Sequence, residues 1–175
     1  TTNIGKYAFN NCKSLTDLTM WGTVKTINSY AFANCTSLTK ITIPDSVTSL
    51  TNTSFLGCTS LAEIFVPSGN KNYTSQDGVL FDKNKTTIIK YPEGNTRTSY
   101  TMPDSVTVMS SNCFYGCTNL ENITLSSKLE YINSNDFYNC TNLMSLSIPN
   151  SICYIGDKAF YGCKNLQGFS ISNRA

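Results

Sequence analysis

The sequence contains no histidine, a single tryptophan and few charged residues, which make up 14% of its 175 positions. Without histidine, nucleophile pairs of the Ser-His and Cys-His kinds are impossible. The formal net charge of +2 gives little electrostatic attraction to nucleic acid or acidic membranes, so we predict no nucleic-acid partner. No apolar run approaches the roughly 20 residues that span a bilayer. We therefore predict a chain that is not an enzyme and has no transmembrane segment.

Signals for cofactors and metals are equally weak. There is no glycine-rich phosphate loop, and the 11 acidic residues are scattered singly along the chain. The stretch from Asp82 to Thr86 partly resembles a calcium loop, but the required glycine and terminal glutamate are absent. We predict no cofactor and no metal site. Since the chain opens inside a repeat and neither end looks like a capping repeat, we expect a piece of a longer protein.

The sequence does contain a repeat with a period of 23 residues, which is the distance along the chain from Cys12 to Cys35. Its clearest copy, Ile27 to Val47, reads I-x-x-x-A-F-x-x-C-x-x-L-x-x-I-x-I-P-x-S-V. A fixed period in this range is typical of a solenoid, in which each repeat contacts only its neighbours. Two sets of residues keep this step within each group of three: the cysteines Cys12, Cys35 and Cys58 and then Cys117, Cys140 and Cys163, and the opening residues Ile4, Ile27 and Leu50 and then Met109, Ile132 and Ile155.

Each half of the repeat predicts its own local structure. The L-x-x-I-x-I stretch alternates apolar with polar residues and predicts a half-buried strand, which the following proline ends. The A-F-x-x-C stretch predicts about one turn of α or 3₁₀ helix, with Ala, Phe and Cys pointing inward. Stacked copies would align their strands in a parallel sheet. Asp136 replaces the inward Ala of its copy, so that turn must open slightly or supply hydrogen-bond donors.

The period breaks between residues 68 and 108. Gly78 to Phe81 and Thr87 to Tyr91 are predicted to be two strands joined by the polar turn Asp82 to Lys85. The tetrapeptides Ile89 to Pro92 and Tyr100 to Pro103 resemble the strand end I-x-I-P. We interpret residues 1–175 as one solenoid: three repeats over 1–67, an aberrant turn carrying a β-hairpin and then a shortened turn over 68–108, and three repeats over 109–175.

The eight cysteines allow several interpretations. A disulfide framework suits a secreted chain, but cysteines at equivalent positions point their Cβ atoms the same way, whereas a disulfide needs them to face each other. A linear column also does not converge on one zinc ion. We favour a buried column of reduced thiols and keep a disulfide as the alternative. Cys153 lies off the column, and we expect it to be exposed.

The elements A-F-x-x-C, L-x-x-I-x-I and P-x-S-V at 23-residue spacing resemble the BspA-like leucine-rich repeats of bacterial and protist surface proteins. The segment from Asp77-Gly78 to Tyr91-Pro92 is similar to an interruption common in that family. The resemblance implies a leucine-rich-repeat solenoid that is mainly β, with a parallel sheet on one face, short helical or 3₁₀ turns on the other and one hairpin insertion. It also implies surface display, adhesion and binding of host matrix proteins, without a shared ligand site.

Strand alternation places a set of variable residues on the open face of the predicted sheet. Trp21 and Phe65 stand out there, because exposed aromatic side chains are typical interface anchors; a neighbouring segment that covers Trp21 is an equally good interpretation. The candidate ligand-binding residues are Trp21, Lys40, Thr42, Glu63, Phe65, Lys90, Thr101 and Asn122.

Two functional hypotheses follow. The first is a non-enzymatic binding module of a cell-surface or secreted adhesin-like protein, which contacts host or matrix proteins or glycans through the strand face. The alternative is an intracellular scaffold that self-associates through its stacking ends and through a column formed by Tyr115, Tyr138 and Tyr161; reduced thiols fit a reducing compartment at least as well. The repeats could also present an enzyme located elsewhere in the parent protein.

Overall fold

The computed structural model describes residues 2–20 and 22–171, with the side chains of residues 169–171 left out. These residues form a solenoid of short strands. Its strands are β1 (Asn3–Ile4), β2 (Thr26–Ile27), β3 (Lys40–Thr42), β4 (Ser49–Leu50), β5 (Glu63–Phe65), β6 (Tyr73–Gln76), β7 (Val79–Asp82), β8 (Thr87–Lys90), β9 (Ser99–Thr101), β10 (Val108–Met109), β11 (Asn122–Thr124), β12 (Tyr131–Ile132), β13 (Ser145–Ile148), β14 (Tyr154–Ile155) and β15 (Gly168–Ile171). The predicted solenoid and its mainly β character are confirmed.

The strands stack in two parallel rows. The first row carries the L-x-x-I-x-I stretches and consists of β3-β5 and β9-β11-β13-β15. The second row, which was not predicted, forms where each copy opens and consists of β1-β2-β4, β8-β10 and β12-β14. Partners such as Ile4 and Ile27 lie one period apart, so equivalent residues stack as expected. The first copy differs, because residues 15–20 form no strand.

Helix is scarcer than predicted. Among the described residues, one 3₁₀ helix forms, at Asn52–Phe55, and the other A-F-x-x-C segments are successive turns. The second copy shows why, since Tyr30 and Asn34 both adopt the left-handed conformation with φ of 59°. A left-handed residue interrupts a right-handed helix. Thr53, at the position equivalent to Tyr30, is not left-handed, and there the helix forms.

An aromatic column runs along the core, as the period predicts. Phe32 is fully buried, and its ring stacks between those of Phe9 and Phe55 at centroid distances of 5.2 and 5.9 Å. Phe114 and Phe137 stack in the same way at 5.2 Å. The rings of Tyr115, Tyr138 and Tyr161 form a second stack with 5.0 Å spacing. Side chains that recur once in each repeat therefore contact their counterparts.

The column cysteines form a ladder of thiols. Cys58 Sγ donates to the carbonyl oxygen of Phe32 at 3.0 Å, and Cys35, Cys140 and Cys163 donate to the equivalent carbonyls of Phe9, Phe114 and Phe137 at 3.0–3.1 Å. Burial raises the pKa of Cys58 to about 12. All eight cysteines are free thiols and Cys153 is exposed. The structure therefore supports the thiol column over the disulfide alternative, but burial is incomplete at its ends, where Cys12 is exposed and Cys163 is half-buried.

The insertion contains the two predicted hairpin strands and one more. β7 pairs with β8 in antiparallel orientation, and β6 pairs with the other edge of β7. Asp77 and Gly78, with φ of 56° and 81°, link β6 to β7. Positive φ at both central residues is typical of the type I′ turn that closes tight hairpins. The Asp-Gly pair is thus the sequence signal for the strand that was missed.

Both faces of the β7–β8 hairpin are buried. Leu80 and Ile89 pack into the hydrophobic cluster of the first half of the chain. Val79, Phe81 and Ile88 pack into the cluster of the second half. The side chains of β7 and β8 therefore pack against both clusters, one on each side of the insertion.

The alignment of Ile89 to Pro92 with the repeat's strand end I-x-I-P is wrong. The Tyr91 ring stacks on Phe114 at 5.1 Å, and its carbonyl faces Cys117 Sγ at 3.9 Å, so Tyr91 takes the position of the repeat phenylalanine. The reason is that β8 pairs with β10 in the second row. Tyr91 and Phe114 are one repeat period apart, whereas the paired residues Ile88 and Met109, which open these two copies, lie closer along the chain. The extra 13 residues lie between Phe55 and Tyr91.

Asp136 replaces the repeat alanine and is fully buried. Its carboxylate accepts the backbone N–H of Asn133 at 2.6 Å and that of Cys113 at 3.4 Å. The predicted donors are therefore supplied. Burial raises the pKa of Asp136 to about 7, against the lowering effect of these N–H groups and of the nearby Lys90 ammonium.

We expect the free energy of unfolding to fall as pH rises from about 4 to about 7. Over this range an unfolded carboxyl, with its ordinary pKa of 3.8, has lost its proton, whereas folded Asp136 still holds one. Each pH unit in this window removes up to about 1.4 kcal/mol. Urea unfolding across this range should show the decline in the wild type and a flatter profile in Asp136→Asn. Parallel profiles for the two proteins would contradict this assignment.

Candidate functional site

Four predicted site residues lie side by side on the open face of the first strand row. Lys40 and Thr42 on β3 stand opposite Glu63 and Phe65 on β5. All four are exposed, whereas Ile41 and Ile64 between them point into the core. The Phe65 side chain is 49% exposed. Strand alternation thus predicts this patch correctly, since successive side chains of a strand point to opposite faces.

The same face continues in the second half with small polar residues. Thr101 on β9 and Asn122 on β11 are exposed, as predicted. The Ser145 hydroxyl donates to Asn122 Oδ1 at 2.8 Å. A shallow depression of about 560 Å³ lies here, lined by Asn122, Ile123, Thr124, Ser145, Leu146, Ser147 and Gly168. No charged or aromatic side chain is among these residues.

The prediction that Lys90 lies on the open face is wrong. Lys90 belongs to the second strand row and is fully buried, with Nζ 3.1 Å from Glu93 Oε1 and 3.4 Å from the Asn112 carbonyl. The same Glu93 oxygen accepts the N–H of Gly57 at 2.8 Å. The error arose because Ile89-Lys90-Tyr91 was aligned with the strand end I-x-I. Trp21, another predicted site residue, lies outside the described residues.

The charge state of Lys90 fits a structural role. Burial, the largest single effect, lowers the pKa of Lys90, but the Glu93 carboxylate together with the nearby Cys117 and Cys113 raises it by more, so the pKa ends above its ordinary value. The ammonium therefore stays charged in the interior and is matched by its acidic partner. This buried pair joins the turn after β8 to Gly57 and Asn112 of the neighbouring copies and presents no group to a ligand.

A groove of about 470 Å³ lies where the insertion meets the strand face. Its walls are Ala62, Glu63, Phe65, Ser75, Asp77, Gly78, Asn95 and Arg97. Arg97 Nη2 lies 3.5 Å from Asp77 Oδ1, and Nη1 donates to the Asp77 carbonyl at 2.6 Å. Both side chains remain accessible, at 43% and 58% exposure. The groove therefore combines an aromatic ring with a charged, solvent-facing pair.

The first strand row is interrupted at this groove. Within the described residues, β5 pairs only with β3 and β9 only with β11, so no ladder joins β5 to β9. The turn of the β6–β7 hairpin fills part of the gap. The Gly78 carbonyl accepts the N–H of Ile64 at 2.9 Å, and the Ser75 hydroxyl accepts the N–H of Val66 at 2.9 Å.

Sequence reasoning missed Ser75, Asp77 and Arg97. The charge distribution was a partial signal, because the insertion from Lys71 to Arg97 carries five basic and three acidic residues. Nothing in the sequence shows that Asp77 and Arg97, which are well separated along the chain, meet at β5. Their contact depends on how the hairpin docks.

The site carries balanced charge and few groups suited to catalysis. Lys40, Glu63, Asp77 and Arg97 supply two charges of each sign around the groove and the adjoining strand face. In residues 2–20 and 22–171, no cluster of three or more cysteine or acidic side chains is placed to hold a metal ion. Across the same residues, no helix has the length and apolar character to cross a membrane. The arrangement suits contact with a neutral or mixed-charge partner.

A family model and several known proteins resemble this chain. The family model described as the BspA type leucine-rich repeat region, in six copies, matches residues 1–99 and 91–175. The pneumococcal vaccine antigen PcpA is 31% identical, with a TM-score of 0.84 over 98% of this chain and 48% of that protein. A leucine-rich cell surface protein of Faecalibacterium prausnitzii is 28% identical, with a TM-score of 0.78 over 96% and 50%.

A leucine-rich repeat protein of Eubacterium ventriosum is 26% identical, with a TM-score of 0.79 over 99% of this chain and 58% of that protein. The chain thus spans about half the length of these solved structures. No curated protein matched significantly. The repeat pattern, the stacked strands and a family match that extends along the entire sequence show that the chain belongs to the BspA-type leucine-rich repeat family.

Proposed function

We propose that the chain is a non-enzymatic binding module of a cell-surface or secreted adhesin-like protein. It contacts host or matrix proteins or glycans through the open face of the first strand row, beside the groove at the β6–β7 turn. The observation that carries this proposal is Phe65, an aromatic side chain held half-exposed on a paired strand at the wall of the groove. Burying such a ring against a partner releases apolar surface from water without distorting the scaffold.

The neighbours of Phe65 extend the patch. Glu63 and Lys40 lie opposite each other on adjacent strands, and Arg97 also lines the groove. Aromatic and arginine side chains dominate the binding energy of protein interfaces. The predicted residues Thr42, Thr101 and Asn122 continue this face as small polar contacts. The long, shallow surface of a solenoid spreads such contacts over several repeats.

Surface location is part of the proposal. Two similar proteins are described as a vaccine antigen and a cell surface protein, and a partner outside the cell fits both descriptions. The alternative, an intracellular scaffold that self-associates through the tyrosine column, has less support. Tyr115, Tyr138 and Tyr161 stack on one another within the chain, so packing accounts for that column.

A binding screen against immobilised matrix proteins and a glycan array tests the proposal. For any partner found, Phe65→Ala and Arg97→Ala should each weaken binding about 10-fold or more, as truncation of interface anchors does. Ser147→Ala, on the same face but away from the groove, is the matched control and should change affinity less than about 2-fold. Unchanged binding in both groove variants would reject the site.

A further inference from the structure

We propose that an extended peptide adds a strand to the free edge of β9, which begins two residues after Arg97 on the wall of the groove. This inference rests on the proposed function and narrows the partner class to a polypeptide in strand conformation. Recognition of this kind draws affinity from main-chain hydrogen bonds and specificity from alternate side chains. It requires an unpaired sheet edge, space beside that edge and a net charge near zero in the surroundings, because a peptide backbone is uncharged.

The hydrogen-bond directions of β9 identify the edge. The N–H of Asn122 reaches the Thr98 carbonyl at 3.1 Å, and the N–H of Met102 reaches the Thr124 carbonyl at 2.9 Å. Alternate residues of a strand point their backbone groups to opposite sides. Ser99 and Thr101 therefore direct their N–H and C=O groups away from β11, toward a side where the described chain supplies no strand.

The edge of β5 that faces away from β3 already has hydrogen-bond partners, unlike the free edge of β9. Ile64 and Val66 donate to Gly78 and Ser75, and the Ala62 carbonyl accepts the side-chain amide of Asn95 at 3.1 Å. In the next repeat, the equivalent edge of β11 is also occupied, because Asn122 and Thr124 pair with β9. An uncapped edge attracts another strand. Ser99 and Thr101 thus offer two donors and two acceptors to an incoming main chain.

The surroundings suit a peptide. Ser99 and Thr101 are exposed and small, and Arg97, two residues before Ser99, lines the groove. The four charged side chains around the groove cancel in sign, which matches an uncharged backbone better than a polyanion. Phe65 lines the same groove as Arg97 and offers an aromatic surface to an apolar side chain of the added strand. The partner is therefore an extended segment with an apolar residue flanked by strand-forming ones.

The test begins with a displayed library of random linear dodecapeptides selected on the folded chain. Each selected peptide is synthesised with single N-methyl groups along its length, because an N-methyl group removes one main-chain donor and leaves the side chains in place. We expect methylation at alternate positions to weaken binding about 10-fold and methylation at the intervening positions to have little effect. This arm leaves the protein unchanged, so it does not depend on any variant folding.

The matching change in the protein is Thr101→Pro, which removes the N–H that points away from β11. Proline is tolerated on a strand edge whose N–H faces solvent, so the fold should persist in circular dichroism while peptide affinity falls about 10-fold. Thr101→Ala keeps the N–H and loses only a small polar side-chain contact, so it should weaken peptide binding far less than Thr101→Pro does. Hydrogen exchange in the free protein should be fast at the Ser99 and Thr101 amides and slow at Asn122 and Thr124.

Three results would overturn the inference. They are equal affinity for every N-methylated peptide, unchanged peptide binding by folded Thr101→Pro, and a library that yields no binder. If the library fails while a matrix protein or glycan binds in a Phe65-dependent way, the proposed function stands and only the peptide mode falls. If no matrix protein, glycan or peptide binds, both fall together.

Discussion

Replacing Lys90 with methionine should lower the free energy of unfolding by about 3–5 kcal/mol. The ammonium is fully buried 3.1 Å from Glu93, which is itself buried and also accepts the N–H of Gly57. Methionine leaves the carboxylate without a counter-charge in the interior, and an unpaired buried charge is expensive. Urea unfolding at neutral pH, followed by circular dichroism, measures the loss.

Two further variants separate charge pairing from packing. The double variant Lys90→Met/Glu93→Gln removes both charges together and should recover much of the loss, because neutral residues of similar volume often replace a buried pair at little cost. Asp77→Asn breaks the exposed pair with Arg97 and should cost less than about 1 kcal/mol. If Lys90→Met is no more harmful than Asp77→Asn, the buried pair does not have the structural role assigned to it.

Truncating Phe32 to alanine should cost about 3–5 kcal/mol. The ring has no solvent exposure and stacks on both faces, against Phe9 and Phe55. Its removal leaves a cavity that the rigid turns on either side fill only in part. Thermal and urea unfolding should both show the loss, and the unfolding transition should shift without a change in strand content below it.

Phe9→Ala is the control within the same column. Phe9 contacts Phe32 on one face only and is 38% exposed, so its truncation should cost well under half as much. Equal losses for the two variants would mean that position in the stack does not determine stability. That result would contradict the layered core inferred from the repeat.

The periodic part of this fold can be predicted from the sequence, because residues one period apart occupy equivalent positions in successive repeats. The spacing of Phe32 and Cys35 from their counterparts predicts the stacked rings and the thiol ladder. Alternation in Lys40-Ile41-Thr42 predicts which side chains face outward. Each inference needs only the repeat period and the geometry of a strand, and neither depends on distant contacts.

The interrupted part could not be predicted in the same way. Ile89-Lys90-Tyr91 fits the alternation of one strand row but occupies the other, because the pairing of β8 with β10 decides its orientation. Lys90 therefore looks exposed by pattern and is buried in fact. The groove depends likewise on how the Asp77-Gly78 turn docks against β5, which local sequence does not specify.

The hairpin's two-sided burial has a practical consequence for redesign. A deletion of 13 residues that includes Leu80 and Phe81 would restore the regular spacing from Phe55 to Tyr91. It would also remove one buried side chain from each of the two hydrophobic clusters. Tags and grafted epitopes belong instead at the exposed tip near Asn84, where neither cluster loses a buried side chain.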